Sequence, residues 1–298
     1  MHDQSLSFKI TSQFARLIIA QEKPLLPTGL CICIPNQPAV LIHCNKIVSK
    51  AHEEVITLQI ALLSDVHGNA RALKAVLNDL HALSVDHMYM LGDLAFRGPE
   101  PKNSIETVQS LPAKVLKGNA DEWIVRGVRE GEVPESKRSI MNQEREWALE
   151  RLSTNDVKYL EELPESFLDE YEGFRLFAFH AVPGSLFPPV PVDSEASVFE
   201  ESFFQKQEAD IYVYGHVHTP SIRKIGDKWV INTGSIGLPF DGDPTPSYVL
   251  LTIEDGEVIP EIRRVPYDTD EVLAQFDAND YPNSDQVKRI ISSGRPPK

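Results

Sequence analysis

The pattern of apolar and polar positions along this chain changes character near residue 58. Before it, residues 1–57 keep no sustained period, and Pro24, Pro27, Pro35 and Pro38 interrupt the apolar runs. Leu58-Gln-Ile-Ala-Leu-Leu63 then reads as a short buried strand. Ala72, Leu73, Val76, Leu77 and Leu80 follow at helical spacing and form an apolar stripe. Met88–Leu91 predicts a second strand, Ser104–Ser110 a helix, and Lys114–Leu116 a third strand, which is the βαβ rhythm of an α/β sheet. Residues 121–163 read as mostly helical; Ser153 with Asn155-Asp156 marks a cap, and Val157, Leu160 and Leu163 share one face. Further strands are predicted at Phe174–Phe179, Ile211–Tyr214, Ser221–Ile225, Trp229–Asn232, Tyr248–Ile253 and Val258–Val265. The close spacing of the later ones predicts antiparallel pairing. Residues 183–193 are rich in proline and predict a long loop, and the polar tail from Tyr281 is expected to fray.

These shifts divide the chain into an N-terminal extension, 1–57, a main domain, 58–266, and a C-terminal helix and tail, 267–298. The extension is expected to be disordered or not native, in the second case with translation starting near Val55 or Leu58 at an alternative start codon; the alternative is a small accessory subdomain. With 298 residues the chain is long enough for a substantial core. Its formal net charge of −15 disfavours sequence-independent binding to a nucleic-acid backbone, which depends on Lys and Arg. An anionic substrate would need local positive charge, such as metal ions, to override that field. No apolar run reaches the ~20 residues of a membrane helix, so no membrane partner is expected. The three cysteines, Cys31, Cys33 and Cys44, have neither a disulfide framework nor zinc spacing. Their confinement to the first fifty residues, with no secretory signal pattern before them, fits a cytoplasmic location.

Candidate chemistry lies at the ends of predicted strands. The stations are Asp65-Val-His67-Gly68-Asn69, Gly92-Asp93, Gly118-Asn119-Ala120-Asp121, a lone His180, and Gly215-His216-Val-His218. Each alone is weak: Asp-x-His is usually a surface pair, Gly-Asn a turn, and a lone strand-end His a hydrogen-bonded core residue. Their physical content is nevertheless specific. Asp65 and His67, two apart in a bend, can face one ion, and Gly68 relieves crowding in the turn. Asp93 has two oxygens and can bridge two cations. Asn119 offers a neutral amide oxygen, and His216 and His218 can point to the same side of an extended segment.

In this order the stations resemble the calcineurin-like metallophosphoesterases, and in particular their small bacterial and archaeal phosphodiesterase branch. The resemblance runs from about Leu58 to Val265. It implies an α/β (α+β) fold, a four-layer αββα sandwich, here with a helical insertion. It also implies two divalent cations, one held by Asp65, His67, Asp93 and His218, the other by Asp93, Asn119, His180 and His216. Mixed oxygen and imidazole donors suit manganese, the first expectation, or Fe, Zn or Ni, better than calcium. The implied activity is hydrolysis of small phosphorylated substrates, phosphodiesters or nucleotide-type phosphoanhydrides, by a hydroxide shared between the cations. Alternatives are a phosphomonoesterase or protein phosphatase, a diadenosine polyphosphate hydrolase, and a non-catalytic scaffold. A homodimer is expected by analogy alone.

Some positions depart from the family pattern. Many members carry Gly-Asn-His-Glu or Gly-Asn-His-Asp at the third station, where the His is thought to protonate the leaving oxygen; here Ala120 stands in that place. Asp93 and Asn119 are carried over as catalytic, and Arg97 is the candidate for an added phosphate contact, although Phe96 replaces the Asp of the protein phosphatases' Asp-Arg-Gly. Arg126 is a weaker candidate. Asp121 is expected to orient a ligand histidine, and Asn69 to touch substrate or close its turn. Asn232-Thr233-Gly234-Ser235 resembles the family's Asn-Pro-Gly-Ser segment, with Thr233 in place of Pro.

Overall fold

A computed structural model describes residues 57–296. The expectations for the extension and its three cysteines therefore lie outside the described residues, apart from Thr57, which opens the first strand.

Two five-stranded sheets carry the fold. The first has the order β10-β9-β1-β2-β3, built from β1 (Thr57–Leu63), β2 (His87–Met90), β3 (Lys114–Val115), β9 (Ser247–Glu254) and β10 (Glu257–Arg264). The second has the order β4-β5-β6-β8-β7, built from β4 (Ser166–Tyr171), β5 (Phe174–Phe179), β6 (Ile211–Tyr214), β7 (Ser221–Ile225) and β8 (Lys228–Asn232). Each sheet has a parallel core, β1-β2-β3 in one and β5-β6-β8 in the other, with antiparallel strands added. The expected antiparallel pairing holds for β7 with β8 and for β9 with β10, whereas β6 and β8 run parallel.

Alternation along the strands explains the layers. Ile60 and Leu62 of β1, Leu176 and Ala178 of β5, Ile211 and Val213 of β6, and Val249 and Leu251 of β9 pack into one apolar cluster between the sheets. Their neighbours Ala61, Leu63, Tyr248 and Leu250 point the other way, into a cluster shared with the helices. Phe177, Phe179, Tyr212 and Tyr214 cover the opposite outer face. Strands buried on both faces read as continuous apolar runs, which is why so many of them are visible in the sequence.

The helices close the two outer layers. Against the first sheet lie α1 (Ala70–His81), α2 (Pro101–Gln109), α3 (Asn119–Arg126), α4 (Glu135–Leu149), α5 (Thr154–Glu162), α7 (Thr269–Ala278) and α8 (Ser284–Ser293). Against the second lies α6 (Ala196–Phe199), continued by one π-wound turn at Glu200–Phe204. Ser153 caps α5 as expected, with Asp156 returning the bond. No helix among the described residues is long and apolar enough to cross a membrane.

Two expectations are corrected. Residues 284–293 of the tail do not fray: α8 buries Val287, Ile290 and Ile291, spaced i, i+3, i+4 within a polar stretch. β4, absent from the predicted strands, pairs antiparallel with β5 from Ser166↔Phe179 to Tyr171↔Phe174. Its acidic, half-exposed residues hide its period.

Candidate metal centre

Every predicted station follows one of the parallel strands, so the two sheets deliver them to one edge. The hydrogen-bond ladder continues past the strand ends. Asp65 N–H donates to Gly92 O (3.0 Å), His67 N–H to Asp93 O (2.8 Å) and Gly68 N–H to Leu94 O (2.9 Å), tying the loop after β1 to the loop after β2. On its other side Ile236 N–H donates to Ser64 O (3.1 Å) and Gly237 N–H to Asp65 O (2.9 Å).

Within this frame the backbone is left-handed at Asp65 (φ 56°), His67 (φ 48°), Asp93 (φ 57°), His216 (φ 66°) and His218 (φ 54°). Non-glycine residues rarely adopt this region, and clusters of them mark over-determined functional loops. His216 and His218 are thus not on an extended segment, and their rings enter different groups. Gly68 sits at φ 62°, as the turn requires. Gly118 is needed for close approach: a Cβ there would stand 2.1 Å from Asp93 Oδ1.

The seven side chains fall into two groups that share Asp93. In the first, the donor atoms of Asp65, His67, Asp93 and His218 lie within 4.8 Å of one another, and all four residues are buried. His218 Nε2 is 3.1 Å from Asp65 Oδ1, while His67 Nε2 is 3.7 Å from the same oxygen and 3.5 Å from Asp93 Oδ2. In the second, Asn119 Oδ1 is 2.9 Å from His180 Nε2 and 2.7 Å from His216 Nδ1. Asp93 Oδ1 completes it, 3.5 Å from His180 Nε2.

The far ring nitrogens identify the tautomers. His67 Nδ1 meets Phe96 O at 2.9 Å, His180 Nδ1 meets Leu91 O at 2.6 Å, His218 Nδ1 meets Leu238 O at 2.6 Å and His216 Nε2 meets Phe187 O at 3.0 Å. A carbonyl only accepts, so each of these nitrogens carries the proton and, in a neutral ring, the inward nitrogen is a bare lone pair. His67 Nε2 and His218 Nε2 then face each other at 3.1 Å as two acceptors. Asp65 Oδ1 lies between buried groups without a hydrogen-bond donor. Lone pairs and carboxylate oxygens gathered in a buried space call for a cation, and this donor set fits one.

The acid–base properties agree. Burial opposes ionisation of Asp65, but the facing His218 and His67 hold its carboxyl well below the ordinary range. Burial opposes protonation of His218, yet the Asp65 charge draws it upward: a proton is the substitute for a cation there. Burial raises Asp93 to about 7, with His67 opposing and Asp65 adding to the rise. His216 is depressed to about 3 by burial and by His180, so its ring stays neutral.

Neighbouring residues take roles the motifs did not disclose. Asp121 accepts from three backbone N–H groups, those of Asp93 (2.8 Å), Leu94 (2.9 Å) and Gly118 (2.9 Å), so it orients the Asp93 loop rather than a ligand histidine. Asn69 caps α1, its oxygen accepting from Ala72 N–H and its amide meeting Gly237 O and Tyr267. Arg97, left-handed at φ 71°, pairs with the buried Glu144 of α4, Nε 3.3 Å from Oε2, and among the described residues neither of these atoms nor the terminal nitrogens of Arg97 make a hydrogen bond. Arg126 is paired with Glu122 and Glu132 and lies over the Phe187 ring, 5.4 Å from its centroid. Phe240 stacks on His218 at 4.3 Å.

Residues 58–256 match the calcineurin-like phosphoesterase superfamily domain. The chain belongs to that superfamily. Members of this metal-dependent family hydrolyse phosphate esters, and the chain is a metal-dependent hydrolase acting on phosphate esters. It is 27% identical over 249 residues to an uncharacterized protein of Methanocaldococcus jannaschii, covering 76% of this chain and 96% of that protein. To the Escherichia coli K12 phosphodiesterase YfcE it is 22% identical, over 69% of this chain and 91% of the relative. Among solved structures, a metallophosphoesterase from Sphaerobacter thermophilus superposes with a TM-score of 0.65 at 26% identity, covering 80% of this chain and 99% of the other. A hypothetical protein of Pyrococcus horikoshii shares the fold with a TM-score of 0.70 at 20% identity, over 80% of this chain and 100% of the other.

Proposed function

We propose that this metallophosphoesterase is a phosphodiesterase that works with two divalent cations. The observation that carries the reading is the convergence of bare imidazole nitrogens on the donorless Asp65 Oδ1 and on Asn119 Oδ1, with Asp93 facing both groups. Asp65, His67, Asp93 and His218 would hold one cation, and Asp93, Asn119, His180 and His216 the other. Bound there, such a pair supplies Lewis acidity, lowering the pKa of a water and neutralising charge on phosphoryl oxygens. Manganese suits the donors, as do Fe, Zn and Ni.

The rest of the chemistry belongs to the chain. Four backbone carbonyls lock the imidazoles, so the donors need no reorganisation on loading. Arg97 is ion-paired through its Nε side with Glu144 and can present its terminal nitrogens to a phosphoryl oxygen. Both arginines near the stations are already neutralised, Arg97 by Glu144 and Arg126 by Glu122 and Glu132. A diester carries one negative charge and a monoester close to two, so a site without added net positive charge favours the diester. Ala120 offers the leaving oxygen no proton, which favours acidic leaving groups. Half-buried Phe187 and Phe240, flanking His216 and His218, provide aromatic surface for an aryl or nucleobase group.

The test is a parallel assay of a chromogenic diester, a chromogenic monoester and a dinucleoside polyphosphate with manganese-loaded protein. The diester should show the highest kcat/KM. A monoester turned over more efficiently would refute the charge argument, and a dinucleoside polyphosphate turned over best would move the substrate class to phosphoanhydrides. Protein purified without chelator should contain close to two metal ions per chain.

A further inference from the structure

Asp65 presents one oxygen to the imidazoles and keeps the other, Oδ2, for the protein. Oδ2 accepts from Ser64 Oγ and from the backbone N–H of His216 (3.2 Å). Ser64 Oγ is also 2.6 Å from Thr233 Oγ1 and 3.0 Å from Gly234 O. All three side chains are completely buried. Ser64 has one hydroxyl proton and two acceptor-only neighbours. Given to Gly234, that proton would leave Ser64 Oγ and the Asp65 carboxylate in close contact as two acceptors. It therefore goes to Asp65, and Thr233 donates its own proton to Ser64.

We propose that Thr233 and Ser64 form a hydroxyl relay that orients Asp65, making Thr233 a positioning residue that governs cation affinity at the group of Asp65, His67, Asp93 and His218. Each hydroxyl that donates becomes a better donor when it also accepts, so Thr233 strengthens the hold of Ser64 on Oδ2. With Oδ2 committed to two donors, the carboxylate cannot rotate, and Oδ1 stays aimed at the His218 and His67 nitrogens. Thr233 has this role because of its identity. The family's proline at this station has no hydroxyl to donate and no N–H, whereas Thr233 N–H also donates to Tyr214 O (3.1 Å). The loop is held independently by Ser247 Oγ, which donates to Thr233 O (3.0 Å) and accepts from Ser235 N–H (3.0 Å). Removing the Thr233 hydroxyl therefore breaks the relay without removing the loop's own anchor.

The inference rests on the cation reading above, and calorimetric titration of manganese into chelator-stripped, full-length protein separates the two. Thr233→Val, similar in shape but without the hydroxyl, should weaken the affected site about tenfold, within the usual range for groups that support a ligand. Thr233→Ser should stay within about twofold of the parent. Ser64→Ala should weaken the same site, and adding Thr233→Val to Ser64→Ala should cost nothing further, because the two act in series. Melting of each metal-free variant, followed by circular dichroism, confirms that folded protein is compared. Equal manganese affinity in Thr233→Val and the parent would overturn the relay, as would equal losses in Thr233→Val and Thr233→Ser or additive losses in the double variant. A parent protein that takes up no cation would overturn the metal reading itself.

Discussion

Asp93→Asn is the sharpest perturbation the site allows, because one carboxylate faces both groups. Oδ1 accepts from Ala120 N–H (2.8 Å) and faces His180 Nε2, while Oδ2 faces His67 Nε2 at 3.5 Å. An asparagine must keep an acceptor toward Ala120, so its oxygen takes the Oδ1 position and its NH2 turns toward His67. On the two-cation reading both ions would lose a negative charge, and the Asp65-centred one would also meet a donor in place of a carboxylate oxygen. A unit charge pair at 4 Å is worth about 4 kcal/mol at an effective dielectric constant of 20. Allowing for the burial cost that Asp93 no longer bears, a net loss on the order of 2–4 kcal/mol per cation is expected, or roughly 30- to 700-fold in affinity. The metal-free fold should not suffer. Burial raises Asp93 to about 7, so an ionised Asp93 at pH 8 strains the metal-free protein and a neutral amide relieves it. The variant should therefore melt no lower than the parent at pH 8 without metal, bind manganese weakly by calorimetry, and lose nearly all diester turnover. Wild-type turnover with two tightly bound ions would refute the shared-ligand assignment. Preferential loss of the ion at Asn119, His180 and His216 would refute the orientation argument.

Three further outcomes follow from the same geometry. Asp121→Asn puts an NH2 against backbone donors, leaving one N–H of the Asp93 loop unpaired; differential scanning should show a loss of about 1–3 kcal/mol, and calorimetry a 10- to 100-fold weaker manganese affinity. Glu144→Ala removes the partner of Arg97 from a buried position and should cost about 2–4 kcal/mol by urea denaturation, with a higher KM if Arg97 then fails to meet the phosphate; unchanged stability would refute the pairing. Burial holds Asp93 and Asp121 protonated to about pH 7, with Asp93 itself raising Asp121. The metal-free folded chain thus keeps protons that the unfolded chain releases near pH 4. Its stability should fall as pH rises from about 4 to about 7. Cation binding releases those protons, so the rise in melting temperature on adding manganese should be larger at pH 8 than at pH 5.

The sequence shows the converging side chains better than it shows what holds them. Asp65, His67, Asp93, Asn119, His180, His216 and His218 were legible because each closes an apolar strand, and parallel strands deliver their ends to one edge. The groups that set the imidazole tautomers are backbone carbonyls of Phe96, Leu91, Phe187 and Leu238. Every residue has a carbonyl, so no letter in the sequence marks these four. Asp121 was visible as a charge three residues into a helix, but its partners are backbone N–H groups up to 28 positions away. The ion pair of Arg97 and Glu144 joins the loop after β2 to the helical insertion, and neither residue's neighbours point to the other. α8 was hidden for a different reason: three apolar residues suffice to bury one face, and the polar remainder dominates a composition-based reading.

The left-handed residues show how the fold and the chemistry constrain each other. A non-glycine residue held at φ near 50° costs on the order of 1–3 kcal/mol, yet five of the seven converging side chains belong to residues at such angles. Flexible loops would relax to ordinary angles. These cannot, because the loop after β1 is hydrogen-bonded on one side to residues 92–94 and on the other to Ile236 and Gly237. The bent backbone turns Asp65 and His67, which a regular strand would send upward along the sheet face, inward toward each other's donor atoms. A single extra residue in any of these loops would break the ladder on one side and release the bend. Insertion of one alanine between Ile236 and Gly237 is therefore expected to abolish manganese binding in calorimetry while leaving the inter-sheet core, and so the far-ultraviolet circular dichroism, intact; retained tight binding would show that the donors converge without the strained frame.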